Sequence, residues 1–223
     1  MNEDEREKDL EALKRSFLFS LSFTALLWIV RLLETASNLP LSSYGIRPKE
    51  WIGLPGILFS PLLHGDMLHL FSNTPPLILL GGGLLYLYRE SSLRVAIIVV
   101  LLGGFLVWLF GRPANHIGAS GLIYGMGFFI FISGVQRRSP GSIALALIVV
   151  FLYGGMVWGV FPQERGVSWE GHLFGALSGS LCAFWFRRLD LPPPPDFGED
   201  DEDDLDDDDD WEAAYRRGEH PER

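Results

Sequence analysis

Residues 117–125 read Ile-Gly-Ala-Ser-Gly-Leu-Ile-Tyr-Gly, a serine between glycines at the mouth of an apolar run. Trp169-Glu170-Gly171-His172-Leu173-Phe174-Gly175 sets an imidazole at the corresponding end of another. An alcohol is a weak nucleophile until a base takes its proton. Ser120 and His172 are the two parts such chemistry needs, and each stands at the entrance to a segment apolar enough to enter a bilayer. A lone serine in an apolar helix more often bonds its own backbone, and a lone histidine more often packs and donates to a carbonyl. Their neighbours argue for more. Gly118 and Gly121 leave the backbone free to turn sharply and to approach a substrate. A helix N-terminus adds N–H groups and a positive dipole end, where an oxyanion would be stabilised.

Other residues could complete the chemistry. His69 and Asn73 are spaced i, i+4, on one helical face, and both can donate hydrogen bonds to a developing oxyanion. The same pair could equally satisfy itself across a helix interface. Pro75 and Pro76 follow at once, removing the hydrogen bonds to the carbonyls of Phe71 and Ser72. They should bend the helix beside the site or leave carbonyls in need of water. No acid stands out to orient His172: Glu170 faces another side of its helix, and Asp66 lies in a loop. The simplest reading is a dyad. Tyr124, one turn after Ser120, could support the imidazole by ring stacking.

The elements that must position these groups follow from composition. The chain has 223 residues, 48% of them hydrophobic, and a net charge of −10. From Leu189 onward there are 16 Asp+Glu against 3 Lys+Arg, so the acidity belongs to the C-terminal end and the first 188 residues are net +3. The single cysteine, Cys182, excludes an intrachain disulfide framework and a multi-cysteine metal site. A bilayer core needs about 20 apolar residues per helical span. Six segments come close: 16–33, 68–88, 93–110, 118–136, 142–161 and 169–188. Lys14-Arg15 before the first resembles a signal peptide, but Arg31 and Glu34 follow with no convincing cleavage site, so it is expected to be retained.

With the N-terminus inside, Arg6, Lys8, Lys14, Arg15, Arg89, Arg94, Arg137, Arg138, Arg187 and Arg188 lie on the cytoplasmic side. Only Arg31, Arg47, Lys49, Arg112 and Arg165 lie outside, which favours both termini in the cytoplasm. The second, fourth and sixth spans then begin at the outer face. His69, Asn73, Ser120 and His172 all fall within roughly the first 8 Å below that boundary at about 1.5 Å per residue. Intramembrane polar groups are costly unless paired, and are functional candidates by default. Gly171, Gly175 and Gly179 on the sixth span, and Gly121 and Gly125 on the fourth, form small-residue faces that allow close packing. Such contact would bring His172 within reach of Ser120.

Around the spans, residues 1–15 read as a cytoplasmic N-terminal segment, a short helix or frayed end. The connection at about 34–67 is the longest and is rich in Gly, Pro and Trp, as expected of a functional or interfacial loop. Residues 189–223 combine Pro192 to Pro195 with an Asp/Glu run and should be a disordered, solvated tail with an unknown partner. Trp211 and Tyr215 are its only aromatic pair able to form an amphipathic turn.

Taken together these residues resemble a rhomboid intramembrane serine protease of the minimal six-span form. The likeness rests on Gly118-Ala119-Ser120-Gly121 with Tyr124, on His69-Leu70-Phe71-Ser72-Asn73, and on Gly171-His172 with Gly175 and Gly179. The stretch from Phe59 to Asn73, with His64-Gly65-Asp66, is also similar, and the resemblance covers about residues 16–188. It implies an all-α bundle of six transmembrane helices with a long outer first loop. It implies Ser120 as nucleophile and His172 as general base. It further implies an oxyanion hole from the Ser120 N–H with His69 and Asn73, shaped by Gly118, and Tyr124 packed on His172. The long loop lacks an adjacent Trp-Arg pair, since Trp51 and Arg47 are separated. His64 and His116 resemble positions near the family's site, but His64 is five residues before His69 and off its helical face.

The expected activity is hydrolysis of peptide bonds in or near single-span transmembrane substrates, with the lipid bilayer as medium and no cofactor, metal or nucleic acid. Substrates should carry an easily unwound helix near the outer face and enter laterally, past a loop or the fifth span. The expected place is a bacterial or archaeal plasma membrane with the active site near the outer face. A silent rhomboid-like client binder is disfavoured because Ser120 and His172 are both present. A channel or transporter is disfavoured by the lack of paired repeats and of an intramembrane acid. No His-Glu-x-x-His motif supports a zinc protease.

Overall fold

The computed structural model describes residues 3–154, 156–162 and 168–190. The acidic tail from Leu191, including Trp211 and Tyr215, and Arg165 lie outside the described residues. Among the described residues the protein is helical, with a single isolated bridge between Ile46 and His116. The helices are α1 (Glu3–Ser37), α2 (Met67–Leu87), α3 (Ser92–Phe110), α4 (Ser120–Arg137), α5 (Pro140–Tyr153), α6 (Met156–Gly159) and α7 (Trp169–Trp185). The long connection between α1 and α2 holds only short helical turns, at Leu41–Tyr44, Trp51–Gly53, Gly56–Phe59 and Ser60–Leu62.

Helices α1, α2 and α3 are long and apolar enough to cross a membrane. Helices α4 and α7, at 18 and 17 residues, lie at the short end of the lengths that span a bilayer. Their outer surfaces carry large apolar side chains that a water-soluble fold would bury, such as Leu21 and Ile29 on α1, Phe131 on α4 and Trp185 on α7. Two differences from the sequence expectation have local causes. The first helix does not begin at residue 16 but takes in the N-terminal segment, running unbroken from Glu3, held to α2 where Asp9 accepts from Tyr86 Oη (2.6 Å) and pairs with Arg89 (3.4 Å). The segment 142–161 is two helices, α5 and α6, with Gly154 at the end of the first. Helix α2 runs through Pro75 and Pro76, in keeping with the single expected segment 68–88.

Helices α4 and α7 form the centre of the bundle, and glycine sets their separation. A Cβ on Gly121 would stand 3.1 Å from the Gly171 carbonyl, and one on Gly175 would overlap the Gly121 carbonyl. One turn further, Gly179 meets the Gly125 carbonyl in the same way. Backbone therefore lies on backbone along the face that the GxxxG repeats present. Helix α3 fits beside this pair through a π-helical turn, Val99–Gly103, with Gly103 against the Phe174 and Gly175 backbone. Leu70, Leu80, Val95, Ile123, Phe129 and Ile130 fill the space between helices and are almost fully buried.

At the end of the bundle away from Ser120 and His172, the helices are tied by one buried cluster. The Asp190 carboxylate accepts from Glu90 N (2.6 Å), Ser91 N (3.2 Å) and Ser91 Oγ (2.6 Å), so it caps the start of α3. Arg137 at the end of α4 donates to the backbone carbonyls of Leu189 and Asp190 and lies over the Tyr88 ring at 4.4 Å.

Candidate active site

Three helices start at one end of the bundle, and each start is built by a residue type suited to it. Asp66 precedes α2 and its Oδ1 accepts from His69 N at 2.7 Å. Ser168 precedes α7 and its Oγ accepts from Gly171 N at 3.3 Å. These side chains satisfy N–H groups that a first helical turn leaves without a carbonyl. Helix α4 begins differently. Gly118 takes a φ of +115°, which a side chain would strain, and its N–H donates to the Ser60 carbonyl at 2.8 Å. That sharp turn makes Ser120 the first residue of α4.

At this junction His172 Nε2 lies 2.9 Å from Ser120 Oγ. The other ring nitrogen, Nδ1, lies 3.0 Å from the backbone carbonyl of Gly159. A carbonyl can only accept, so Nδ1 carries the hydrogen and the neutral ring presents an Nε2 lone pair to the serine hydroxyl. The Tyr124 ring stacks on the imidazole, with centroids 4.1 Å apart and planes within 4°. Two constraints, one in the ring plane and one across it, thus fix the ring's orientation.

The His69 ring lies over Gly118, where an added Cβ would stand 2.7 Å from its Cε1. Any side chain at 118 would push this ring away from Ser120. His69, Asn73, Ser120, Tyr124 and His172 line a common cavity of about 700 Å³, which also reaches Arg112. The four polar residues singled out on helix mouths therefore share one space.

His64 belongs to the same assembly. Its Nε2 accepts from Ala119 N at 3.3 Å and faces Asn73 Nδ2 at 3.1 Å. The backbone donor makes Nε2 an acceptor, so Asn73 turns its amide nitrogen to the ring and keeps a second N–H for the cavity. Burial, with the His69 ring 5.1 Å away, pushes the His64 pKa down to about 4, so it is neutral in this role. The helical-face argument against His64 does not apply, because α2 starts only at Met67 and His64 approaches from the loop.

A second cluster holds the starts of α4 and α7 together. His116 Nε2 donates to the Arg112 carbonyl (3.1 Å), leaving Nδ1 to accept from Ser168 Oγ (2.8 Å). Burial lowers the His116 pKa and favours that neutral form. Glu170 is buried and turned away from His172; its Oε1 meets Arg112 Nε at 3.4 Å and Arg112 N at 3.3 Å. Sequence reasoning passed over Ser168, although a serine directly before an apolar helix is an N-cap signal. Gly159 carried no such signal, since its contribution is a main-chain atom. Among the described residues no group of three or more His, Cys, Asp or Glu side chains is arranged to hold a metal ion.

The family model described as the Rhomboid domain matches residues 50–189. An uncharacterized protein of Mycobacterium tuberculosis (strain ATCC 25618 / H37Rv) is 40% identical over 173 residues, covering 74% of this chain and 72% of its own length. One from Mycobacterium bovis is similar to the same extent. An uncharacterized protein of Mycobacterium leprae is 38% identical over 173 residues, covering 74% of this chain and 68% of its own.

Proposed function

The chain belongs to the rhomboid family, whose members are intramembrane serine proteases, and from that premise we propose that Ser120 and His172 form its catalytic dyad. The observation that carries the reading is the 2.9 Å approach of His172 Nε2 to Ser120 Oγ, with Nδ1 already committed to a carbonyl. In this tautomer His172 takes the serine proton as Oγ attacks the scissile carbonyl, and returns it to the leaving amine. A water then enters, gives its proton to His172 and hydrolyses the acyl-enzyme on Ser120. The tetrahedral oxyanion accepts from the Ser120 N–H at the start of α4, from the free Asn73 amide hydrogen and from His69. Gly118 gives the His69 ring room to reach it, and Tyr124 holds the base flat.

Substrates are membrane proteins, since the site opens within a protein that lives in the bilayer. We take single-span proteins with an easily unwound helix as the preferred class, because Oγ must meet an extended backbone. In this reading the membrane domain is residues 16–188, with six crossings made by 16–33, 68–88, 93–110, 118–136, 142–161 and 169–188. Residues 1–15 and 189–223 face the cytoplasm, the site faces the outer side of a bacterial or archaeal plasma membrane, and no cofactor takes part. The excess of Lys and Arg in the connections assigned to the cytoplasm supports that orientation.

The test is cleavage of a model transmembrane substrate by purified, detergent-extracted protein. Ser120→Ala and His172→Ala should each abolish cleavage while keeping the wild-type thermal transition. A fluorophosphonate probe should label the wild type and not Ser120→Ala. Full activity in either variant would sink the dyad. Folded wild type that neither cleaves nor takes the label would favour a client-binding role instead.

A further inference from the structure

In Ser-His hydrolases with a third member, an acceptor on the far ring nitrogen selects the tautomer and steadies the imidazolium that forms when the serine proton is taken. Here Glu170, the acid nearest His172 in sequence, is engaged with Arg112, and no carboxylate reaches Nδ1 among the described residues. What reaches it is the main-chain oxygen of Gly159, at 3.0 Å. We infer that the Gly159 carbonyl is the third member of this site, a positioning group that fixes the tautomer of His172; the inference rests on the dyad proposed above.

Two independent features of the fold support it. The first is space. A Cβ at position 159 would overlap Tyr124 Oη and stand 2.8 Å from Cζ. No positive φ accompanies this glycine, so its small size, not its backbone freedom, is what the position uses. Any side chain would drive the 159 backbone off the stacked Tyr124–His172 pair and away from Nδ1. The second is placement. Gly159 ends α6, the short helix that closes the segment 142–161, and is itself buried although Trp158 beside it is largely exposed. The acceptor thus comes from a separate, peripheral piece of chain, not from the helix that carries the base.

The consequence is a link between access and chemistry. If a substrate helix enters by displacing the fifth segment, Gly159 leaves Nδ1 and His172 loses the contact that selects its tautomer. The base is aligned again only when α6 returns against α4 and α7. Proton transfer from Ser120 is then confined to the closed arrangement, where an acyl-enzyme is shielded from premature release. The balance of the step is unchanged: the serine proton moves to Nε2, and the Nδ1–H hydrogen bond to the carbonyl strengthens as the ring becomes positive.

The carbonyl can be weakened without changing any side chain. Replacing Val160 by its α-hydroxy acid turns the Gly159–Val160 amide into an ester, whose carbonyl is a poorer acceptor. The same replacement at Phe161 leaves the Gly159 carbonyl an amide and serves as control. Loss of one hydrogen bond to a charged partner predicts a fall in kcat of about 10-fold for the first, with KM unchanged, and less than about 2-fold for the second. In addition, ¹⁵N spectra of imidazole-labelled wild type, assigned by difference with His172→Ala, should show His172 protonated at Nδ1, and the Val160 ester should move that signal. Equal kcat in the two esters, or an Nε2-protonated His172 in the resting wild type, would overturn the role of Gly159 while leaving the dyad intact. Cleavage by His172→Ala would overturn both.

Discussion

The closest backbone contact behind the proposed dyad can be perturbed by one methyl group. In Gly175→Ala the new Cβ overlaps the Gly121 carbonyl oxygen and stands only 2.9 Å from its carbon and 3.1 Å from Gly121 Cα. These are main-chain atoms of α4, so no side chain can rotate away. Contacts between carbons relax at about 3.5–4.0 Å and the overlapped oxygen demands more than either carbon, so α4 and α7 must separate by about 1 Å at that turn. Gly175 is one turn from His172, and Gly121 is next to Ser120, so most of the movement reaches the 2.9 Å bond between them. A bond stretched by that amount is barely a bond, and a misplacement of about 1 Å can cost 10²-fold in rate. Overpacking of this kind costs about 1–3 kcal/mol in stability. Gly179→Ala gives a matched control: its Cβ would stand 2.7 Å from the Gly125 carbonyl carbon and 2.8 Å from Gly125 Cα, an equal or worse overlap. It lies seven residues from His172, about 10 Å along the helix, so the helices can pivot there with less movement at the site. The assay is kcat on a model transmembrane substrate beside the thermal transition in the same detergent. Gly175→Ala should lose about 10²-fold in kcat and Gly179→Ala about 10-fold or less, with similar drops in stability. Equal kcat losses in the two, or wild-type kcat in Gly175→Ala, would refute the claim that glycine contact sets the Ser–His distance.

Asn73→Ala should lower kcat about 10- to 1000-fold as a lost oxyanion donor, and unchanged kcat would demote Asn73 to packing. His64 links pH to stability. Its folded pKa of about 4 lies below its ordinary 6.5, so the unfolded chain binds more protons between those values. The contribution of neutral His64, about 3 kcal/mol at most, is complete above pH 6.5 and is lost as pH falls towards 4. Thermal denaturation followed from pH 7 to 4.5 should show this loss, and His64→Gln should flatten it; an unchanged slope would dismiss the assignment. Asp190 makes a sharper prediction than the tail beyond it. Asp190→Ala leaves Glu90 N and Ser91 N without their acceptor and Arg137 without its counter-charge, and should cost on the order of 3 kcal/mol. Truncation after Asp190 should leave both the thermal transition and in vitro cleavage within about 2-fold, which one preparation of each variant would check.

How much of this was legible in advance depended on whether a group announces itself as a residue type on a regular helix. Ser120, His172, His69 and Asn73 did, because polar side chains in apolar spans are few and a common depth can be counted from the helix ends. Tyr124 did, because one turn of helix puts it beside the base's partner, and its ring is found stacked on His172. The glycine repeats did, because their period marks a face. Helical counting sets His64 off the His69 face, but a cap at Asp66 starts α2 after it, and loop geometry has no period from which to read a face. The Gly159 carbonyl is common to every residue and leaves no trace in a sequence. The Arg137–Asp190 pair joins positions 53 apart, and nothing local to either indicates the other.

The placement of the site at three helix starts follows from the medium. In hydrocarbon every backbone N–H needs a partner from within the protein. A helix that begins below the membrane surface, as the proposed arrangement has it, exposes its first-turn N–H groups to that requirement, and side chains meet it at α2 and α7, through Asp66 and Ser168. At α4 the residue before the helix offers no side-chain cap. The preceding loop instead spends its donors on Ser60 and His64, from Gly118 N and Ala119 N, so the first N–H of the helix proper belongs to Ser120. A missing cap would be a defect in an ordinary helix, costing about 1 kcal/mol. A cap here would take the N–H of residue 121 or 122, whereas the Ser120 N–H, the first of the helix and beside its hydroxyl, is the donor that the proposed oxyanion would use. The absence of a cap also suits the packing: Ala119 is fully buried in the core, so substitution by Asp would bury a carboxylate there and should lower the thermal transition. A thermal transition equal to or above that of the wild type would refute this and show that position 119 can accept a cap.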